Sequence, residues 1–177
     1  SWLLDIYGFK VYTLIGGYKK FRNHVLETFK KPYRFNIIGG YTGSGKTELL
    51  KTLKEKGEKV IDLENIANHK GSAFGAIGLP PQPTQEMFEN LLSNELSAIS
   101  SKEGLRTTNY ELLTSCIWLE DESQRIGLIN IPGDLWKNMR QSKVWFLDIP
   151  FEERLKHIIP EYGILEQEKL IAAIERF

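Results

Sequence analysis

The chain has 177 residues, enough for one hydrophobic core of ordinary size. Hydrophobic residues make up 41% and charged residues 26%, which excludes a disordered tail, and 23 basic against 23 acidic side chains exclude nucleic-acid binding by overall charge. Cys116 is the only cysteine, which excludes an internal disulfide and a cysteine-rich zinc site and makes the cytoplasm the natural compartment.

No apolar run is long enough to span a bilayer, and Ser1 opens no signal-peptide pattern. Trp2 to Gly8 reads as the last turns of a helix stopped by glycine. Leu170 to Phe177 is an apolar helical stripe with no stop signal, so a piece of a longer protein is expected. Phe9 to Ile15 alternates and is rich in β-formers, which predicts a strand. Gly16-Gly17 turns it into a helix from about Tyr18 to Phe29. Lys30-Lys31-Pro32 is a polar break, and a domain boundary is expected there, between 1–31 and 32–177.

Phe35 to Ile38 is a short apolar run, and the helix predicted from Lys46 to Lys56 carries Leu49, Leu50 and Leu53 on one face before Gly57 ends it. Lys59 to Asp62 reads as a second strand. Asn68 to Pro83 is rich in glycine and proline and reads as a functional loop. Thr84 caps a helix carrying Met87, Phe88, Leu91, Leu92, Leu96 and Ile99. Ser115 to Leu119 is a strand, Pro132 to Met139 a short helix, Lys143 to Ile149 a strand and Phe151 to Ile159 a helix. Strands alternating with helices predict an α/β fold with a parallel sheet covered on both faces.

Between the first apolar run and its helix lies Gly40-Tyr41-Thr42-Gly43-Ser44-Gly45-Lys46-Thr47, a P-loop pattern. Its glycines let several backbone N–H groups face one anion, and the following helix adds the positive end of its dipole. Gly40, Thr42, Gly43, Ser44 and Gly45 would form that cradle. Lys46 would reach the terminal phosphates, and the Thr47 hydroxyl commonly serves Mg²⁺. The motif reads as a polyphosphate or diphosphate site, and does not specify ATP.

A bound Mg²⁺ also takes a carboxylate. Asp62 and Glu64 stand at one predicted strand end, and Glu120, Asp121 and Glu122 at another, where ligands of an open parallel sheet sit. Asp121 is the first choice for the metal or base role, with Asp62 beside it; the ordinary reading of any one of these is a solvated cap or ion pair. Arg125 could clamp a phosphate or pair with Asp121 or Glu122. His69 lies in the long loop, where a lone histidine is more often structural. Cys116 reads as a buried, inert thiol. Trp118, Trp136, Trp145 and Phe146 read as core. Lys19, Lys20, Arg22, Lys30, Lys31 and Arg34 form a basic cluster, either a solvated face or a contact for RNA phosphates.

Several strings together resemble one family. Gly40 to Leu50, Asp62-Leu63-Glu64, Ala67-Asn68-His69-Lys70-Gly71-Ser72 and Phe74-Gly75 look like bacterial tRNA 2-selenouridine synthase. Gln82-Pro83-Thr84-Gln85, Phe88-Glu89, Trp118 to Ser123 and Arg125-Ile126-Gly127 continue the match, and Gly16-Gly17-Tyr18-Lys19 resembles the end of that family's rhodanese domain. The resemblance implies a P-loop NTPase-like domain preceded by the C-terminal part of a rhodanese domain. The rhodanese active-site cysteine belongs upstream of Trp2, and Cys116 does not match its motif.

The activity implied is modification of a tRNA wobble uridine. Such a transferase attaches a geranyl group from geranyl diphosphate to 2-thiouridine and converts the base to 2-selenouridine with selenophosphate. The P-loop and Mg²⁺ would then hold the diphosphate, with Thr47 and Asp121 or Asp62 serving the metal. His69, Lys70, Arg125 and Glu122 would position substrate, the basic cluster would approach tRNA, and Phe74, Ile77 and Leu79 are one candidate wall for the prenyl chain. Two other readings compete. Val144 to Ile149 followed by Phe151 to Leu155 resembles the late strand and helix of small-molecule kinases. A P-loop module that only binds nucleotide or RNA and regulates is the third.

Overall fold

The computed structural model describes residues 2–72, 74–103, 116–163 and 167–175. Helix α1 (Trp2–Ile6) and an extended stretch lead to α2 (Gly17–Thr28). Strand β1 (Phe35–Gly40), the P-loop, α3 (Lys46–Glu55), β2 (Lys59–Val60) and α4 (Leu63–Ala67) follow. After the long loop come α5 (Gln85–Glu103), β3 (Ile117–Glu120), β4 (Arg125–Ile126), β5 (Ile129–Asn130) and α6 (Gly133–Arg140). Strand β6 (Lys143–Leu147), α7 (Phe151–Tyr162) and α8 (Gln167–Ile174) complete the order.

Four strands form one sheet in the order β2-β3-β1-β6, and every pairing is parallel. Because β1 is central, its neighbouring residues Ile37 and Ile38 point to opposite faces and both are fully buried. On one face Phe35, Ile37, Ile117 and Leu119 join the main core with Phe88, Leu92 and Leu96 of α5 and Leu135 and Met139 of α6. Val25 and Phe29 bring α2 into that same core. The other face carries Ile38 and receives α3, whose Leu50 is buried. Thr84 donates this architecture its predicted cap: its hydroxyl accepts from the Met87 backbone N–H at 3.2 Å. The fold is a mixed α/β, P-loop NTPase-like domain, as the alternation of elements predicts.

The structure corrects several local expectations. Phe9 to Ile15 forms no strand; apart from half-buried Val11 it is exposed, and alternation without a neighbouring sheet edge leaves no ladder to join. The second strand stops at Val60, because Asp62 caps α4: its Oδ1 accepts from Asn65 N at 2.9 Å. That five-residue helix and the short β4–β5 hairpin were too brief for periodicity to mark. Trp145 and Phe146 are not core but 46% and 54% exposed, since β6 is an edge paired only with β1 among the described strands. Cys116 is half-buried and precedes β3 instead of lying within it. Helix α7 continues through Pro160 to Tyr162. Ser115, Arg176 and Phe177 lie outside the described residues. Among the described residues no helix is long and apolar enough to cross a membrane.

Candidate functional site

A cleft of about 850 Å³ opens at the carboxyl ends of the strands. The P-loop from Gly40 to Thr47 forms its floor, Glu120 to Ser123 one wall, His69 to Ser72 another, and His157, Pro160 and Tyr162 of α7 its far end. This volume suits a small ligand. Helix α7 is tied to both sides. Arg154 donates to the Thr42 carbonyl at 3.2 Å and lies over the Tyr41 ring. Tyr162 meets the Ser72 hydroxyl at 3.1 Å and packs edge-on against Phe74.

The loop sits where the sequence predicts it, between β1 and α3. Lys46 Nζ donates to the Gly40 carbonyl at 2.8 Å, holding its ammonium over the loop itself. Ser44 Oγ is buried and has no hydrogen-bond partner. A buried hydroxyl without a partner costs free energy, which a hydrogen bond to an anion in the cleft would offset. Thr47 Oγ1 donates to Glu120 Oε1 at 3.1 Å.

Glu120 is the nearest of three acids. Carboxylate oxygens of Glu64, Glu120 and Glu122 all lie within 4.8 Å of one another. Glu120 is 2% and Glu122 8% exposed. Gly71 lies against two of the three: a Cβ there would stand 2.5 Å from Glu122 Oε2 and 2.8 Å from Glu64 Oε1, and its φ of +58° favours glycine. Burial pushes the Glu64 carboxyl well above the usual range, and Glu120, Glu122 and Asp62 add to the rise. Glu122 is raised by burial first and by Glu120 next. Glu120 is raised by burial and by Asp62, against which its bond to Thr47 works. Three converging carboxyls that resist ionisation together match the donor set of a divalent cation, whose charge would let them ionise.

Each acid holds its proton more tightly when folded than unfolded, so its stabilising contribution is complete below the unfolded value of 4.5 and is lost as pH rises toward the folded values. Without divalent metal, the melting temperature should therefore fall from pH 6 to pH 9, and Mg²⁺ should reverse the fall. Calorimetric scans across that range check it; a flat profile in metal-free buffer would contradict the arrangement.

The other predicted residues divide. Asp121 lines the cleft but forms an ion pair with Arg140, outside the trio. Alternation explains it: Glu120 and Glu122 share one side of the chain at the end of β3, and Asp121 faces the opposite way, toward α6. That period of two was a readable signal for Glu122 and against Asp121. Asp62 lines the cleft while capping α4. Arg125 is outside the cleft, donating to the Gly127 carbonyl at 2.9 Å, and pairs with neither Asp121 nor Glu122. His69 is 9% exposed, lines the cleft and has a partnerless Nδ1; burial lowers its pKa. Lys70 lines the cleft, and Leu79 does so where Phe74 and Ile77 do not. Of the basic cluster, Arg22 is ion-paired with Glu89 and Lys30 with Glu27, whereas Lys19, Lys20 and Arg34 are exposed. Lys51, His157 and Tyr162 are cleft residues that no local motif signalled.

The family model for the tRNA 2-selenouridine synthase AAA domain matches residues 33–176. The tRNA 2-selenouridine synthase of Nitrosomonas eutropha is 36% identical over 165 residues, covering 92% of this chain and 39% of that protein. The enzyme of the same name from Hydrogenovibrio crunogenus is 37% identical over 170 residues, 92% of this chain and 43% of its own length. That from Cronobacter sakazakii is 38% identical over 162 residues, 90% of this chain and 40% of its own. The chain thus spans about two fifths of the length of these curated relatives.

Proposed function

The chain belongs to the tRNA 2-selenouridine synthase family, and on that premise we propose that its cleft holds the diphosphate of a prenyl donor used to modify a tRNA uridine. The reaction proposed for the whole protein is geranylation of wobble 2-thiouridine from geranyl diphosphate, followed by conversion to 2-selenouridine with selenophosphate. The observation that carries the reading for this chain is the meeting of the P-loop with three converging carboxyls, two buried and one half-buried, through the Thr47–Glu120 bond.

Thr47 and the trio of Glu64, Glu120 and Glu122 would hold Mg²⁺, replacing the sequence-based preference for Asp121 and Asp62. Such an ion would supply positive charge to a departing diphosphate. The chain's own residues do the rest. The backbone N–H groups after Gly43 and the Ser44 hydroxyl donate to phosphate oxygens. Lys46 exchanges the Gly40 carbonyl for a phosphate oxygen and stabilises charge as the bond to the prenyl carbon breaks. Leu79, Pro160 and Tyr162 give the cleft its apolar contacts.

The test is thermal protection. Geranyl diphosphate with Mg²⁺, at about a hundred times its dissociation constant, should raise the melting temperature by on the order of 5–10 °C. ATP with Mg²⁺ at the same concentration should protect less. Equal or stronger protection by ATP would turn the reading to a small-molecule kinase.

A further inference from the structure

The glutamates of the trio come from two arms of the chain. Glu64 belongs to α4, and Glu122 to the link between β3 and the β4–β5 hairpin. The arms leave neighbouring strands, β2 and β3, whose pairing ends at Val60–Trp118 and the Ile61 N–H bond to the Trp118 carbonyl, so their spacing farther out needs another tie.

One side chain reaches both. The amide nitrogen of Gln82 donates to the Ala67 carbonyl at the end of α4, at 3.1 Å, and to the Ile126 carbonyl of β4, at 3.0 Å. Its amide oxygen accepts from Leu128 N, at 2.8 Å, on the far side of the hairpin turn. All three bonding groups of the amide are thereby used, two on the Glu122 arm and one on the Glu64 arm. The turn is closely fitted around it. Gly127 has φ +59°, and a Cβ there would lie 2.3 Å from Gln82 Oε1 and 2.7 Å from His69 Cδ2. The His69 ring therefore packs against the turn beside the amide, and the His69 backbone N–H donates to the Glu64 carbonyl at 3.0 Å at the end of α4.

Gln85 provides the contrast. It grips the same hairpin, donating to the Asn130 carbonyl at 2.8 Å and accepting from Asn130 N at 2.8 Å. Neither bond touches α4. The two glutamines thus share a structural task, and Gln82 alone of the pair spans the arms.

We propose that Gln82 is a positioning residue that sets the separation of Glu64 and Glu122 by bridging the end of α4 to the β4–β5 turn. The inference rests on the reading of the trio as a cation site, since that is where a set separation acts. Outer partners of metal ligands commonly contribute 10–100-fold to affinity when removed.

The experiment compares Gln82→Met with Gln85→Met in the 177-residue chain, titrating Mn²⁺ alone and following the free ion by electron paramagnetic resonance. Both variants should melt at lower temperature. Gln82→Met should weaken Mn²⁺ binding by roughly 10–100-fold, and Gln85→Met should leave it unchanged. Gln82→Glu, which keeps the acceptor for Leu128 N and loses both donated bonds, should weaken it as well and guards against a Met variant that fails to fold. Equal loss in the two Met variants, or no loss at Gln82, overturns the proposal. A wild-type chain that binds no Mn²⁺ would defeat the cation reading instead. The bridge is then decided by crystal structures of Gln82→Met or Gln82→Glu. Separation of the Glu64 and Glu122 oxygens beyond 4.8 Å supports it, and an unchanged gap overturns it.

Discussion

Lys46→Ala should lower the rate of prenyl transfer on the order of 10²–10³-fold while leaving the fold intact. The size follows from what is removed: a cation aimed at charge that develops only as the diphosphate departs, in a site partly shielded from water. The fold survives because Lys46 is half-buried and its bond is to a loop carbonyl, worth about 1 kcal/mol. Lys46→Arg separates charge from fit. It keeps a cation but presents a planar fork in place of a compact ammonium, and should recover only part of the rate. Rates for the whole synthase on 2-thiouridine tRNA, with melting temperatures for each variant, check the claim. A Lys46→Ala enzyme of normal rate would remove Lys46 from the chemistry.

Glu120→Gln should act on stability and on function in opposite directions. Glu120 is 2% exposed, and burial together with Asp62 already disfavours its charge. The neutral isostere removes that repulsion, so the metal-free variant should be as stable as wild type or more so, and its amide can still accept from Thr47. Divalent-ion affinity should fall by at least about 10–100-fold, the loss typical of even outer partners. Asp121→Asn is the control: its carboxylate engages Arg140, so it should lose a partly exposed ion pair worth about 0–1 kcal/mol and keep the metal response. Titration calorimetry with Mg²⁺ on the three proteins gives the answer. If Asp121→Asn lost the ion and Glu120→Gln kept it, the trio would be misassigned.

The contrast between these two acids shows where the sequence was legible. The P-loop pattern could be read because it is local: eight consecutive residues carry it, and a strand stands before it and a helix after it. The parallel sheet could be read because each element carries its own period. The acid trio could not be read from one segment, since Glu64 reaches it from a helix of five residues that Asp62 begins by capping. Runs of adjacent acids name a place without naming a face, and Asp121 was preferred where alternation favours its neighbours. Gln82 was visible only as part of a family string, because its three backbone partners lie 15 to 46 residues away. Phe9 to Ile15 misled for the converse reason: a pattern suited to a strand is not a strand without an edge to pair with.

On the proposed reading, the P-loop works on a diphosphate donor and not on a nucleoside triphosphate. Released phosphate distinguishes the two when the whole synthase, Mg²⁺, 2-thiouridine tRNA and geranyl diphosphate react with and without ATP. One pyrophosphate should appear for each S-geranyl product, with no requirement for ATP and with both signals lost together in Lys46→Ala. Orthophosphate released from ATP in step with product, with no pyrophosphate from the prenyl donor, would contradict it.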